Sequence, residues 1–404
     1  MLRPHPIVSS LTFAAGLVLS VAACEPTVAP TPSALPGPAA PTGPTGRQAE
    51  VDPNRPVLVA LLAPKTSPDR NAAAIGNALT NAGLMAMVDL ADPTMEIRSY
   101  DTGGTVEGAR SAAERAVADG AGLILGPLFG ANTPAVGEVA GRAGINVISF
   151  STDSGVAGGP VFLSGFLPEA EAARVVGFAT SRGRNRIAVF YPQSDYGNTA
   201  LEAAQRTAGS LGARIVVASG YPRTFQGIQN TAGSFASAAL SAGADAVLLP
   251  DGGQGLRSAG AFLDYGGLDP VEVKYLGLGQ WSGNTTLEEA ALKGGWFPAP
   301  DPGQFDTFAG VYANRYGERP PLVAVLGYDA VQVAGQLLAD ARRSGSRTPF
   351  GRAEITRPEG FDGILGPLRF RSDGLNQRAM AILEVRESGF EVVDPAPSRL
   401  DLGL

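Results

Sequence analysis

From Pro56 onward, short runs of consecutive apolar residues alternate with longer stretches whose apolar positions recur at helical spacing. Residues 57–62 form the first apolar run, and the Ala-rich residues 71–90 the first helical stretch. Strands follow at 95–100, 122–125 and 146–150, separated by helices at 106–119 and 132–143. The rhythm resumes with strands at 186–191, 215–219, 246–250 and 274–277, and helices at 196–211, 230–242 and 255–265. Strands that are apolar throughout need cover on both faces, and their alternation with helices makes βαβ units of a parallel sheet. The pattern therefore predicts an α/β protein with two doubly wound parallel-sheet lobes, one for each set. Such sheets bind ligands beyond the carboxyl ends of their strands, so two facing lobes leave a cleft between them. Loops 63–69, 126–132, 150–154, 193–198, 251–254 and 279–283 are placed to line it.

The first 55 residues follow a different pattern. Residues 1–23 read as a signal peptide, with Arg3 ahead of an apolar run at 11–21 and small residues before Cys24. That run is too short for a membrane span. The tetrapeptide VAAC resembles a bacterial lipobox, which implies cleavage before Cys24 and lipidation of its thiol; the alternative is an ordinary signal with an incidental cysteine. Acyl chains contribute about 0.8 kcal/mol per buried CH₂, and two or more hold a protein on a membrane. Residues 24–55 are rich in Pro, Ala, Thr and Gly, with few large apolar side chains, which predicts a disordered tether.

Charge and residue counts narrow the chemistry. With 404 residues the chain exceeds the usual size of one core, in keeping with two lobes. A net charge of −7, from 38 acidic and 31 basic residues, argues against a nucleic-acid surface. The single histidine is His5 and the single cysteine Cys24, both ahead of the alternating region. The body is thus without imidazole or thiol catalysis, disulfides and His- or Cys-based metal sites. None of the three lysines, Lys65, Lys274 and Lys293, ends a GxxxxGK[ST] loop. The stretch GLGQWSG, residues 277–283, misses the dinucleotide fingerprint because Ser282 replaces its third glycine. No paired-carboxylate motif stands out, so the expectation is a protein that is not an enzyme and needs no cofactor.

Several phrases, taken together and in order, resemble the type I periplasmic solute-binding proteins of the leucine/isoleucine/valine-binding kind. They are LILGPLFGANTPAVGEVAGRAGINVISFSTDS (123–154), YPQSDYG (191–197), PPLVAVLGYDAVQVAGQLLADA (320–341) and FDGILGPLRFRSDG (361–374). The resemblance implies three crossovers between lobes, near Gly165, near Pro298 and within 348–361. Lobe 1 would then comprise residues 56–165 plus 299–347, and lobe 2 residues 166–298 plus 348–397. It also implies capture of an amino acid or similar small polar solute for an ABC permease, by a periplasmic protein lipid-anchored to the cell membrane or outer membrane. The stretch 150–176 is similar to a branch described as penicillin-binding protein activators, which implies instead a lipoprotein that contacts a cell-wall synthase.

The candidate ligand-binding residues are Phe129, Asn132, Phe150, Ser151, Thr152, Asp153, Tyr196, Asp251 and Trp281. In the resembling family hydroxyls and backbone amides hold a carboxylate, an acid holds an ammonium, and an aromatic ring covers the solute. Ser151 and Thr152 suit the carboxylate, and Asp153 suits an ammonium; each alternatively caps the next turn. Phe129, Gly130, Ala131 and Asn132 stand where the family usually has serines. Tyr196 contacts ligand or packs. Asp251 contacts ligand or caps a helix. Trp281 covers the cleft or fills a lobe. Phe129 and Phe150 shape an apolar wall, and Asp329 steadies the fold.

Overall fold

Alternation along each strand decides how the layers stack. In β1 (Val57–Ala63) every residue is buried. Val57, Val59 and Leu61 join one apolar cluster, and Leu58, Ala60 and Leu62 join another, so the strand is sandwiched between two helical layers. The computed structural model describes residues 48–400. The signal peptide expected at residues 1–23, Cys24 and residues 24–47 of the tether expected at 24–55 lie outside the described residues; residues 48–55 are not free of the body, because Ala49 and Val51 donate their N–H groups to the Gly144 and Arg347 carbonyls and pack against its apolar clusters.

Lobe 1 continues with α1 (Arg70–Leu90), β2 (Met95–Asp101), α2 (Val106–Ala118), β3 (Leu123–Leu125), α3 (Thr133–Arg142), β4 (Asn146–Ser149) and β5 (Val161–Leu163). Its five strands are all parallel, in the order β2-β1-β3-β4-β5. The chain then enters lobe 2 through α4 (Pro168–Ser181), β6 (Arg186–Pro192), α5 (Asp195–Ser210), β7 (Arg214–Tyr221) and α6 (Phe225–Ser241). It proceeds through β8 (Ala246–Leu249), α7 (Gly253–Tyr265), β9 (Lys274–Gly277), the single turn α8 (Asn284–Leu287) and β10 (Trp296–Ala299). Back in lobe 1 come α9 (Pro302–Tyr316), α10 (Val325–Ser344), the short α11 (Arg352–Ile355), and the strands β11 (Phe361–Gly363), β12 (Gly366–Phe370) and β13 (Asn376–Arg378). β14 (Ala381–Arg386) and β15 (Gly389–Asp394) close the chain in lobe 2.

Two features differ from the sequence expectation. The lobe 2 sheet, ordered β15-β14-β10-β9-β8-β6-β7, is parallel only from β10 to β7, because β14 and β15 are antiparallel additions. The chain returns to this lobe at the carboxyl end of β10, so the strand it adds there must run the opposite way. The third crossover lies at residues 379–380 rather than within 348–361. Phe350, Ile355, Phe361, Leu368 and Phe370 all bury in the same cluster as β1 and α10, so lobe 1 keeps the chain through β13. An edge contact between Phe162 and Phe370, with centroids 6.0 Å apart, holds the small antiparallel sheet β11–β13 against β5.

The first and third crossovers are bonded to each other. Asn376 Nδ2 donates to the carbonyls of Leu163 and Gly165, both at 2.8 Å, and Arg378 Nε donates to that of Ser164 at 3.1 Å. Arg378 Nη1 also donates to Asp329 Oδ2 at 3.0 Å, and Asp329 Oδ1 accepts the N–H of Ile364 at 2.8 Å. Both partners of this ion pair are buried, with side-chain exposures of 4% and 0%. From lobe 2, Arg174 Nε reaches the Met380 carbonyl at 2.8 Å.

Candidate functional site

The crossovers leave from the carboxyl ends of β5 and β10, so the carboxyl ends of both parallel sheets converge on the hinge. In lobe 1 the loops after β3 and β4 are stitched together there. Ser149 Oγ lies 3.0 Å from Thr133 Oγ1, donates to the Pro127 carbonyl at 3.0 Å and accepts the Ser151 N–H at 3.2 Å. Ser151 Oγ accepts the Asp153 N–H at 2.9 Å, and Asp153 Oδ1 accepts the Gly155 N–H at 3.0 Å. Ser151 is buried, Thr152 and Asp153 are exposed, and Phe129 is half-buried at the start of the turn leading into α3. Asn132 precedes α3 without a side-chain capping bond and is 2% exposed. Its Nδ2 is buried without a hydrogen-bond partner, a state that costs about 1–3 kcal/mol until a partner arrives. Phe150 is not a cleft wall: it is 1% exposed within the core beneath the loop.

Lobe 2 assembles a second polar floor from residues distant in sequence. Tyr196, in the first turn of α5, donates its hydroxyl to Glu171 Oε2 at 3.1 Å. Glu171 belongs to the first turn of α4 and is 4% exposed. It also accepts the backbone N–H of Gly279, in the loop after β9. Only glycine permits that approach, because a Cβ on residue 279 would lie 2.3 Å from Glu171 Oε1. Burial pushes the Glu171 carboxyl up to about 7, against the lowering effect of the Gly279 and Tyr196 bonds. Burial, reinforced by Glu171, also raises the Tyr196 phenol well above its ordinary value, while a bond to Gln280 opposes this. Asp251 is 1% exposed and fully engaged. It accepts from the Tyr221 hydroxyl at 2.8 Å, Arg223 Nε at 2.9 Å and its neighbour Gly252 N–H at 2.7 Å. Burial and the Asp251 charge together raise the Tyr221 phenol.

Of the sequence-derived candidates, the structure brings Ser151, Thr152, Asp153, Asn132 and Phe129 together at the lobe 1 floor, and Tyr196 and Asp251 at that of lobe 2. Trp281 does not join them. It is 0% exposed, packs near Phe297 with centroids 6.2 Å apart, and donates Nε1–H to the Leu249 carbonyl at 3.0 Å. The short turn after β9 folds the indole back beneath Gly277, where a Cβ would sit 2.1 Å from the ring. Trp281→Phe is therefore expected to cost about 1–2 kcal/mol of stability through the lost bond and volume, measured by urea unfolding. Glu171, Arg223 and Gln280 join the lobe 2 floor without standing among the sequence-derived candidates, although Gln280 lies in loop 279–283. Arg223 follows a strand that runs to Tyr221, beyond the end at residue 219 expected from its apolar pattern. Among the described residues no group of three or more His, Cys, Asp or Glu side chains is placed to hold a metal.

A family model described as periplasmic binding protein matches residues 56–390. One curated relative, an uncharacterized protein of Rickettsia prowazekii (strain Madrid E), is 26% identical over 147 residues. That match spans 36% of this chain and 38% of the relative's length. Among solved structures, an ABC transporter substrate-binding protein from Sphaerobacter thermophilus is similar with a TM-score of 0.70 at 19% identity, covering 87% of this chain and 100% of its own. The branched-chain amino acid transporter substrate-binding protein LivJ from Streptococcus pneumoniae, in complex with isoleucine, gives 0.58 at 17% identity, covering 84% and 100%. A solute-binding protein of an ABC transporter from R. palustris, in complex with 4-hydroxybenzoate, gives 0.63 at 15% identity, covering 86% and 99%. With the family matched from the start of β1 into β15, and two lobes hinged at the carboxyl ends of their sheets, the chain belongs to the periplasmic binding protein family, in its type I, leucine/isoleucine/valine-binding-like form.

Proposed function

We propose that the protein is a non-enzymatic, lipid-anchored receptor outside the cytoplasm that closes over a small carboxylate-bearing solute, an amino acid or a similar acid, for an ABC permease. The observation that carries this reading is Asn132. Its buried Nδ2 lacks a partner just ahead of α3, at the lobe 1 floor beside the loop that carries Ser151 and Asp153. Isoleucine and 4-hydroxybenzoate, named with two proteins of this fold, share a carboxylate and little else. A solute amine would meet exposed Asp153 or the acidic floor around Glu171. Calorimetric titration with a panel of amino acids and aromatic acids should give saturable binding by at least one. Asn132→Ala should weaken that binding by about tenfold, roughly 1.4 kcal/mol, without loss of stability. Absence of binding across the panel would remove the transport reading.

A second reading, activation of a penicillin-binding protein through direct contact, is favoured by one observation. After Leu128, where the family usually has serines, stand Phe129, Gly130, Ala131 and Asn132, so this loop supplies no serine hydroxyl for a carboxylate. Affinity capture from membranes separates the two: recovery of permease subunits without any cell-wall synthase eliminates the activator reading.

A further inference from the structure

Opposite the hinge, the amino ends of the lobe 1 strands form a pole where two features meet. One is the junction of the tether with the body. Ala49 donates its N–H to the carbonyl of Gly144, ahead of β4, at 3.0 Å, and Val51 donates to that of Arg347, past the end of α10, at 2.8 Å. Gln48 Nε2 donates at 3.3 Å to the Phe350 carbonyl, which also accepts from Asn146 Nδ2, at the first residue of β4. A lipid on Cys24 would hold the body by this pole, and residues 24–47 span at most about 80 Å between them.

The other is a hollow of about 330 Å³ beside the β12–β13 pair, lined by Thr356, Pro358, Arg369, Arg371, Ser372 and Gln377, with no acidic residue in its lining. Arg352 ties its wall to the same pole. Its Nη1 donates to the Ser372 carbonyl at 2.8 Å, and its Nη2 donates to that of Gly159, ahead of β5. Arg369 is 8% exposed and donates Nε to Gln377 Oε1 at 2.9 Å and Nη1 to the Pro358 carbonyl at 3.3 Å. Neutral acceptors of this kind satisfy guanidinium protons and leave the positive charge in place. Arg371, at the rim, pairs with Asp373 through Nη2 while its side chain stays 48% exposed. Residues 340–378 hold eight arginines against five acids, a local surplus of positive charge in a chain whose net charge is −7.

We propose that this pole of lobe 1 is a membrane-docking surface, with the hollow taking the phosphate of an anionic lipid headgroup. The inference rests on the lipid-anchor reading. Guanidinium edges match phosphate oxygens, and an anchor joined at the same pole keeps headgroups at high local concentration, so a weak site is enough. Docked in this way, the body turns its cleft away from the anchoring membrane, because the carboxyl ends of the lobe 1 strands lie at the opposite end. The test uses the acylated full chain in vesicles. With Cys24 acylated the chain has no other thiol, so Ser344→Cys, at the exposed end of α10, takes a fluorescent label at this pole alone. Brominated lipids should quench that label about twofold or more strongly in vesicles of equal parts phosphatidylglycerol and phosphatidylcholine than in phosphatidylcholine alone. A label at Tyr265→Cys, 92% exposed at the end of α7 in lobe 2, should show no such excess. Arg371→Glu, on an exposed side chain that leaves the core intact, should remove most of the excess, as should salt at about 1 M; Arg369→Gln should act in the same direction. Equal quenching of the Ser344→Cys label in the two vesicle types overturns the proposal, as does an excess untouched by Arg371→Glu. A chain that floats with neither vesicle removes the anchor and the docking with it, whereas a floating chain without excess quenching removes the docking alone.

Discussion

Replacing Asp329 by alanine is expected to lower folding stability by about 3–5 kcal/mol, the range seen when one member of a buried ion pair is removed. Asp329 is fully buried and holds Arg378 Nη1 at 3.0 Å and the Ile364 N–H at 2.8 Å. Its loss strands a guanidinium that is itself buried and whose Nη2 already lacks a partner. The Ile364 N–H loses its acceptor in the same step. Urea unfolding followed by circular dichroism measures the effect. A fall below about 1 kcal/mol would mean that water or a rearranged side chain replaces the carboxylate, and that the pair does not hold the fold. Substituting both residues by apolar ones of similar volume should cost less than Asp329→Ala alone, because no charge is then left unpaired.

The second large effect is a dependence of stability on pH that originates in Glu171. Its carboxyl has a folded-state pKa of about 7, above the ordinary 4.5. Between these values the folded chain binds more protons than the unfolded chain, so stability falls as pH rises. The favourable contribution is fully present below pH 4.5 and lost above pH 7, a change of about 3 kcal/mol at 1.36 kcal/mol per pKa unit. The only histidine is His5, so the folded body has no imidazole to titrate in the same window. Glu171→Gln keeps an acceptor for Gly279 and removes the titration. The variant should show a flatter profile from pH 5 to 8 and exceed the parent protein in stability at the alkaline end. Parallel profiles for the two proteins would show that Glu171 does not titrate there.

The fold was legible in the sequence where burial and period agree. The apolar run of β1, the helix that follows it and the alternation of β6 to β9 with their helices are all visible, because β1, β6, β8 and β9 are apolar runs covered on both faces, β7 being the partly exposed edge. Elements set by tertiary contact were not. β5 has three residues, too few for periodicity, and is defined by its parallel pairing with β4. Residues 348–361 look like a connector, yet Phe350, Ile355 and Phe361 find their apolar environment in lobe 1. The site was legible only as loops. Pro168-Glu-Ala-Glu reads as the acidic start of an exposed helix, and the loop carrying Gly279 is what buries Glu171. Trp281 sits at a strand end, where an aromatic residue suggests a lid. Its position under Gly277 depends on a tight turn that no local pattern announces.

The bonds from Asn376 and Arg378 to the carbonyls of residues 163–165 have a mechanical consequence. They laminate two of the connecting segments into one strap, and a strap of two cross-bonded chains bends more easily than it twists. Such a strap would favour a swing of the lobes over a twist. On the proposed reading, a solute held at one floor would meet the other along a restricted arc. The same two side chains brace the loop after β4, because Ser164, whose carbonyl Arg378 holds, donates its own N–H to the Ser149 carbonyl at 2.8 Å.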